Sequence, residues 1–182
     1  TDGVHPAERG CRGGAANGLG KAHMEVNGYA IEPGSNLFAA NLSSAELNNA
    51  PLRSAILCSA SLQGATLEGA TLCAADMRQA ILTDASFEKA QLAGANMSSS
   101  FLYRANLTEA DLRDVLLGEA ELGEAVLRRA DLRGADMRDS KLEGAVFTGA
   151  DLDDTRLEGA VYTDDTLFPA GFDPAKAGMI HA

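Results

Sequence analysis

The sequence predicts an all-β fold in which short extended pieces alternate with corners. Three observations support this prediction. Large apolar residues recur at every fifth position from Leu37 to Leu167, giving 27 centres of which 21 are Leu. Ala stands two residues before 21 of these centres. Small or polar residues stand two residues after them. A fixed period over most of a chain indicates a repeat architecture.

A period of five residues fits neither of the ordinary secondary structures. On an α-helix, with about 100° per residue, five residues advance the chain by roughly 140°, so the Leu residues form no buried face. On a straight strand, successive Leu residues point to opposite sides because five is an odd number. A chain that bends once in every five residues places both Ala and Leu of each piece on the inner side.

The residues at the expected corners agree with this interpretation. Gly occurs two residues after several centres, as at Gly64, Gly94 and Gly134, and most other corners carry Asp, Ser, Asn or another polar residue. No corner carries Val, Ile, Thr or an aromatic residue. Turn positions with unusual dihedral angles exclude β-branched and bulky side chains in this way.

The runs ANLSS, ATLEG, AADMR, GANMS, RANLT, EADLR, RADLR and GADLD resemble the pentapeptide repeat family, whose motif is A(D/N)LXX. The resemblance covers residues 35–169. It implies a right-handed quadrilateral β-helix with four pentapeptides in each coil, and therefore about seven coils. With about 4.8 Å between neighbouring coils, the rod is roughly 30 Å long.

The ends of such a rod need covers, because they otherwise expose the core and unpaired backbone groups. We expect residues 1–23 to be a flexible Gly-rich tail and residues 24–34 to cap the first coil. Residues 170–182 are expected to cap the last coil with a short helix that starts at Asp173 and Pro174 and stops at Gly178. Either apolar end could instead pair two copies of the chain end to end.

The repeat offers no catalytic machinery. His5, His23 and His181 all lie outside it, so no Ser–His or Cys–His pair is expected on the scaffold. We predict that the protein is not an enzyme and has no cofactor and no metal ligands. Cys58 and Cys73 are fifteen residues apart, which places them on adjacent faces. They are expected to be exposed, inert thiols without a mutual disulfide.

A coil of twenty residues stacks side chains in columns, and two columns are candidate sites. Asp111, Asp131 and Asp151 form an acidic ladder, which either binds a cation or is neutralised by Arg113 and Arg133. On the opposite face, Ile81 lies beneath Phe101 with Tyr103 alongside, and this contiguous aromatic group is a candidate interaction patch.

These features predict a non-catalytic structural scaffold that docks on a protein partner of unknown identity. The formal net charge of −11 disfavours direct binding to nucleic acid or to an anionic membrane surface, and no apolar run is long enough for membrane insertion. The family resemblance points to cyanobacterial-type and plastid members, and so to an accessory subunit of a photosynthetic or other membrane-associated complex.

The location expected from the resemblance is soluble, either in a bacterial cytoplasm or in the thylakoid lumen after removal of a targeting peptide. The alternative function is an acidic mimic of DNA that binds DNA gyrase or another topoisomerase, as some family members do. The net charge fits this alternative. The unbroken repeat and the Arg residues between the acidic ones do not fit this alternative.

Overall fold

The structure is a computed structural model that describes residues 24–182. It contains four short strands: β1 (Met24–Val26), β2 (Tyr29–Ile31), β3 (Val161–Tyr162) and β4 (Ile180–His181). Strands β1 and β2 form an antiparallel hairpin, and β3 pairs with β4 in parallel. Between β2 and β3 the chain winds into coils joined by single parallel β-bridges.

Each coil contains twenty residues. Parallel bridges join residues twenty apart without interruption from the Asn36–Ile56 pair to the Lys141–Val161 pair. The backbone hydrogen bonds flank each bridge, since Asp76 accepts the Leu57 N–H at 2.7 Å and donates its own N–H to the Ala55 carbonyl at 2.9 Å. Four five-residue sides make one coil, so the architecture is a quadrilateral β-helix, as predicted.

The interior of the rod consists of the Leu and Ala positions of the repeat. Leu92, Leu112 and Leu132, which lie one above another, are all 0% exposed. The Ala residues two positions earlier are also buried, as Ala90 shows. Burying one Leu side chain contributes about 2 kcal/mol, and the small Ala side chains let neighbouring walls approach each other. The predicted core is therefore confirmed for the regular coils.

The corners are β-turns with a positive φ at their third residue. Every residue two positions after a centre, from Ala39 (φ 52°) to Gly159 (φ 74°), has this conformation. A hydrogen bond closes each turn, as from the Ala60 N–H to the Leu57 carbonyl at 3.0 Å. This conformation is strained for β-branched residues, which explains their absence from the corners.

The β1–β2 hairpin covers the N-terminal end of the rod. Its turn consists of Asn27 (φ 52°) and Gly28 (φ 81°), whose two positive φ angles fit the tight turn of a two-residue hairpin. Val26 and Tyr29 pack against the core, and Ile31 is 2% exposed. The apolar side chains of residues 24–34 therefore cover the first coil. The expected tail at residues 1–23 lies outside the described residues.

The C-terminal segment contains a turn where a helix was predicted, so that prediction is wrong. Within residues 170–182 there is no helix. Asp173 does act as a cap, because its Oδ1 accepts the Lys176 N–H at 3.2 Å and its carbonyl accepts the Ala177 N–H at 3.2 Å. Gly178 (φ 74°) then ends the turn. So few residues form too few hydrogen bonds to offset helix nucleation.

The last coil departs from the five-residue period. Val146 pairs with Leu167, twenty-one residues later, because the chain inserts one extra residue before this bridge. Leu167, predicted to be the last core centre, is consequently 49% exposed. Thr166 occupies the small inward position instead, and the following Phe168 occupies the large one.

Aromatic rings close the C-terminal end above this shifted coil. The Phe168 ring stacks on Phe147 at a centroid distance of 5.8 Å and on Phe172 at 5.0 Å. Met179 is 9% exposed and belongs to the same cluster. Ile180, in contrast, lies on β4 with 55% of its surface exposed.

Candidate interaction surfaces

The rod has four outer faces, which we number in chain order. Face 1 begins at Asn36, face 2 at Asn41, face 3 at Glu46 and face 4 at Pro51, and each continues through the bridged residues twenty positions further on. The residue after each centre and the corner residue that follows line the edge between two faces. Stacked columns of outward side chains are therefore the units from which any site on this rod is built.

The acidic ladder lies on face 4. Asp111, Asp131 and Asp151 are joined by successive bridges. The Arg113 guanidinium donates two hydrogen bonds to Asp111, at 2.8 and 2.6 Å, and its Nε lies 3.7 Å from Oδ2 of Asp131. Arg133 binds Asp131 with the same two distances and reaches Asp151 at 3.5 Å. Each arginine therefore bridges two rungs of the ladder.

This arrangement favours neutralisation of the ladder over cation binding. The hydrogen bonds from Arg133 hold the pKa of Asp131 below its usual value, because they stabilise the ionised carboxylate. Within residues 24–182, no group of three or more His, Cys, Asp or Glu residues is placed to hold a metal ion. The carboxylate oxygens of Asp111 and Asp131, which a cation would need, already accept hydrogen bonds from guanidinium groups.

The same Asp–Arg pair recurs on face 1, which the sequence reasoning missed. Arg78 binds Asp76 at 2.9 and 2.7 Å, and Arg138 binds Asp136 at 2.8 and 2.7 Å. Asp136 is only 9% exposed and also lies 3.2 Å from Arg156. The available signal was the spacing Asp-x-Arg within ADMR and ADLR, since residues two apart on an extended piece share a side.

Two of the three residues of the candidate patch are direct neighbours on face 2. Ile81 and Phe101 are bridged and are 41% and 42% exposed. Tyr103 is 39% exposed, and its hydroxyl donates to Oε1 of Glu124 at 2.6 Å. A Cβ on Gly123 would lie 3.2 Å from the Tyr103 ring, so the ring rests over this glycine. Tyr103 therefore leans towards the next coil along the rod.

A second apolar region, on face 1, was not anticipated. Phe38 is 64% exposed, and with Ile56 and Cys58 it lines a groove of about 580 Å³. Phe38 occupies the position after a centre, where most repeats carry a polar residue. That exception to the polar pattern was the signal available in the sequence.

The two cysteines of the described repeat differ from each other. Cys58 is free and half-buried, and burial together with the nearby Asp76 carboxylate raises the pKa of its thiol. Cys73 is 1% exposed. The prediction of an exposed thiol is therefore wrong for Cys73, because the surrounding residues shield its sulfur from water.

The chain belongs to the pentapeptide repeat family. Eight copies of the pentapeptide repeats model match it, over residues 35–72, 60–98, 74–108, 105–144 and 125–161. The family resemblance drawn from the A(D/N)LXX runs is thereby confirmed. No curated protein matches the chain.

Solved structures of similar proteins include cyanobacterial proteins and a plasmid-mediated one. The pentapeptide repeat protein Rfr23 from Cyanothece 51142 is 32% identical, with a TM-score of 0.51, over 51% of this chain and 63% of that one. The match thus spans less than two thirds of Rfr23. HetL from Nostoc sp. PCC 7120, involved in heterocyst differentiation regulation, is 21% identical, with a TM-score of 0.56, over 77% of this chain and 80% of its own.

QnrB1, a plasmid-mediated fluoroquinolone resistance protein, is 19% identical with a TM-score of 0.67 over 78% of this chain and 77% of its own. At such identities the likeness to HetL and QnrB1 shows the fold alone, a right-handed quadrilateral β-helix. Within residues 24–182, no helix is long and apolar enough to cross a membrane.

Proposed function

We propose that this scaffold-like protein is non-catalytic and docks on a protein partner through Ile81, Phe101 and Tyr103 on face 2. The observation that supports the proposal most directly is the bridged, half-exposed pair of Ile81 and Phe101. Large apolar side chains that are contiguous on a rigid surface are typical of protein interfaces.

The surroundings of the patch lower the cost of binding. The Tyr103 ring is held by the hydrogen bond to Glu124 and by the Arg104 guanidinium, which lies 5.1 Å from its centroid. A side chain that is already ordered loses little conformational entropy when a partner covers it. The ion pair between Lys141 and Glu121, at 2.7 Å, lies next to Phe101 on the same face. It supplies a polar rim of the kind found around apolar interface centres.

The partner is proposed to be a subunit of a photosynthetic or other membrane-associated complex, with this chain as an accessory subunit. The likeness to a cyanobacterial protein at 32% identity supports that choice. The proposed location is either a bacterial cytoplasm or a thylakoid lumen, as the family resemblance implies. The alternative, an acidic DNA mimic directed at gyrase, is supported by the net charge of −11 and weakened by the arginines that pair with the acidic ladder.

The docking proposal is tested by capture with surface variants. Tagged wild-type chain, the double variant Ile81→Asn with Phe101→Ser, and Leu116→Asn are each expressed in cells of the source organism. Leu116 is 40% exposed on face 1 and serves as the matched control. We expect wild type and Leu116→Asn to retain the same partner and the double variant to lose it. Equal capture by all three would overturn the proposal.

A further inference from the structure

An apolar column runs along face 3 towards the C-terminal end of the rod. Val126 is bridged to Val146, and Val146 to Leu167. Both valines are half-buried, and Leu167 is 49% exposed. Leu167 joins this column only because the extra residue of the last coil turns it outward. The chain therefore places a large apolar side chain on the surface although a core position lies next to it.

A groove of about 710 Å³ borders the first half of this column. It is lined by Thr108, Val126, Arg128, Arg129 and Thr148, together with Asn106 and Gly149. Its polar groups are mostly engaged, because the Thr108 hydroxyl donates to Asn106 at 2.6 Å and Arg129 is paired with Glu109. The groove thus combines an apolar wall with hydroxyl groups and two guanidinium groups.

Arg128 differs from the other cationic side chains. Among residues 24–182, it forms no ion pair and no side-chain hydrogen bond, whereas the other Arg and Lys side chains of this part of the chain all have a partner. On a protein with a net charge of −11, an uncompensated guanidinium beside an apolar column is a local positive site. It is complementary to a carboxylate.

We infer that face 3 binds an extended segment of a partner protein that carries aliphatic and acidic side chains. The aliphatic side chains contact Val126, Val146 and Leu167, and a carboxylate pairs with Arg128. The column spans two coil steps, about 10 Å, which about three extended residues cover. This site is separate from the face 2 patch and does not depend on it.

The experiment uses the full chain labelled with ¹⁵N and the acetylated, amidated pentapeptide Leu-Asp-Leu-Asp-Leu as the probe. We expect the peptide to shift the amide signals of Val126, Val146 and Leu167, and to leave those of Ile81 and Phe101 unchanged. The same peptide with Asn in place of Asp is expected to bind about fivefold more weakly, as is the Asp peptide to Arg128→Gln.

Two matched controls separate the site from general effects on the rod. Arg156→Gln removes a guanidinium on face 1, and Val161→Thr alters a half-buried valine on face 2. Both are expected to bind like wild type, whereas Val146→Thr binds more weakly. The inference is wrong if the shifts map to another face, if no shifts appear, or if Arg128→Gln binds as tightly as Arg156→Gln. None of these results bears on the capture experiment with the face 2 variants.

Discussion

At the scale of single residues, the Asp-x-Arg pair is the recurrent electrostatic unit of the rod. Its geometry follows from the repeat, because the residues before and after a centre lie on the same outer side. Each of the four pairs has nearly the same two hydrogen-bond distances, as between Arg113 and Asp111 and between Arg138 and Asp136. The pairs stabilise the ionised form of aspartate, so the protein should lose stability in acid.

The pH dependence follows from the direction of these shifts. Arg78 lowers the pKa of Asp76 to about 2, and Arg138 holds the pKa of Asp136 below its usual value. An unfolded aspartate has a pKa of about 3.9. The stabilisation is therefore complete above pH about 4 and is lost as the pH falls towards about 2. We expect the free energy of unfolding, measured by urea denaturation, to decline across that interval.

Single substitutions show which carboxylates cause the decline of the free energy of unfolding in acid. Asp136→Asn is expected to cost about 1–3 kcal/mol at pH 7, because nearly buried hydrogen bonds to a charged group are lost, and to flatten the acid decline. Asp76→Asn should cost less than about 1 kcal/mol, since its pair is more exposed. Glu46→Gln is the control, because Glu46 is exposed and forms no ion pair among residues 24–182. An unchanged pH profile in Asp136→Asn would contradict this account.

At the scale of elements, the regular coils were predictable and the last coil was not. The five-residue period identifies Leu57 or Leu132 as core because one corner follows each centre. In the segment VYTDDTLF, however, both Leu167 and Phe168 are apolar. A strict count from Tyr162 selects Leu167. In the structure Phe168 occupies the large inward position, because Thr166 then lies at the small inward position, where its hydroxyl forms hydrogen bonds with backbone groups.

The Thr166 hydroxyl holds this shifted register through several hydrogen bonds. It donates to the Leu142 carbonyl at 2.9 Å and accepts the N–H groups of Thr163, at 3.1 Å, and Gly144, at 3.2 Å. Thr166→Val keeps the shape of the side chain and leaves all three groups without this partner. We expect it to lower the free energy of unfolding by about 1–3 kcal/mol, measured by thermal or urea denaturation.

Thr66, an outward residue of face 3, provides a matched control. Its hydroxyl oxygen is buried without a hydrogen-bond partner within the described part of the chain. Thr66→Val should therefore be neutral or slightly stabilising, because it removes an unsatisfied polar atom. Equal effects of the two Thr→Val substitutions would show that the hydroxyl of Thr166 does not determine the register.

Part of each candidate site could likewise be predicted from the sequence, and part could not. The stacking of Ile81 beneath Phe101 follows from the twenty-residue coil alone. The contact of Tyr103 with Gly123 and Glu124 does not follow from the coil length, because the side-chain rotamer of Tyr103 determines which neighbouring coil its ring covers.

The prediction of a C-terminal helix was wrong for a related reason. Asp173 and Gly178 are correct boundary residues, but their presence does not ensure enough turns between them.

At the scale of the whole molecule, the distribution of charge argues against DNA mimicry. The net charge is −11, yet on face 4 guanidinium groups lie between the stacked carboxylates, and on face 1 Arg156 stacks on Asp136. A DNA duplex presents phosphates without such interleaved cations. We expect the wild-type protein not to inhibit DNA supercoiling by gyrase, measured on relaxed plasmid by gel electrophoresis.

A variant with Arg113→Gln and Arg133→Gln exposes the Asp111–Asp131–Asp151 ladder and tests the role of these cations. If interleaved arginines prevent mimicry, this variant inhibits gyrase more than wild type does. A paired control, Arg104→Gln, removes a guanidinium from the edge between faces 2 and 3 and leaves the ladder covered. Inhibition by the wild-type protein at low stoichiometry would favour the DNA-mimic function over the docking function.

The twenty-residue coil has a consequence for how such a chain can change in length. Removing or duplicating one complete coil leaves every downstream side chain on its original face, so each surface keeps its composition while its spacing along the axis changes by about 4.8 Å. Removing five residues between Ile81 and Phe101 instead rotates everything downstream by a quarter turn and places these two residues on different faces. The length of the rod can therefore change during evolution by whole coils while the residue composition of each outer face stays the same.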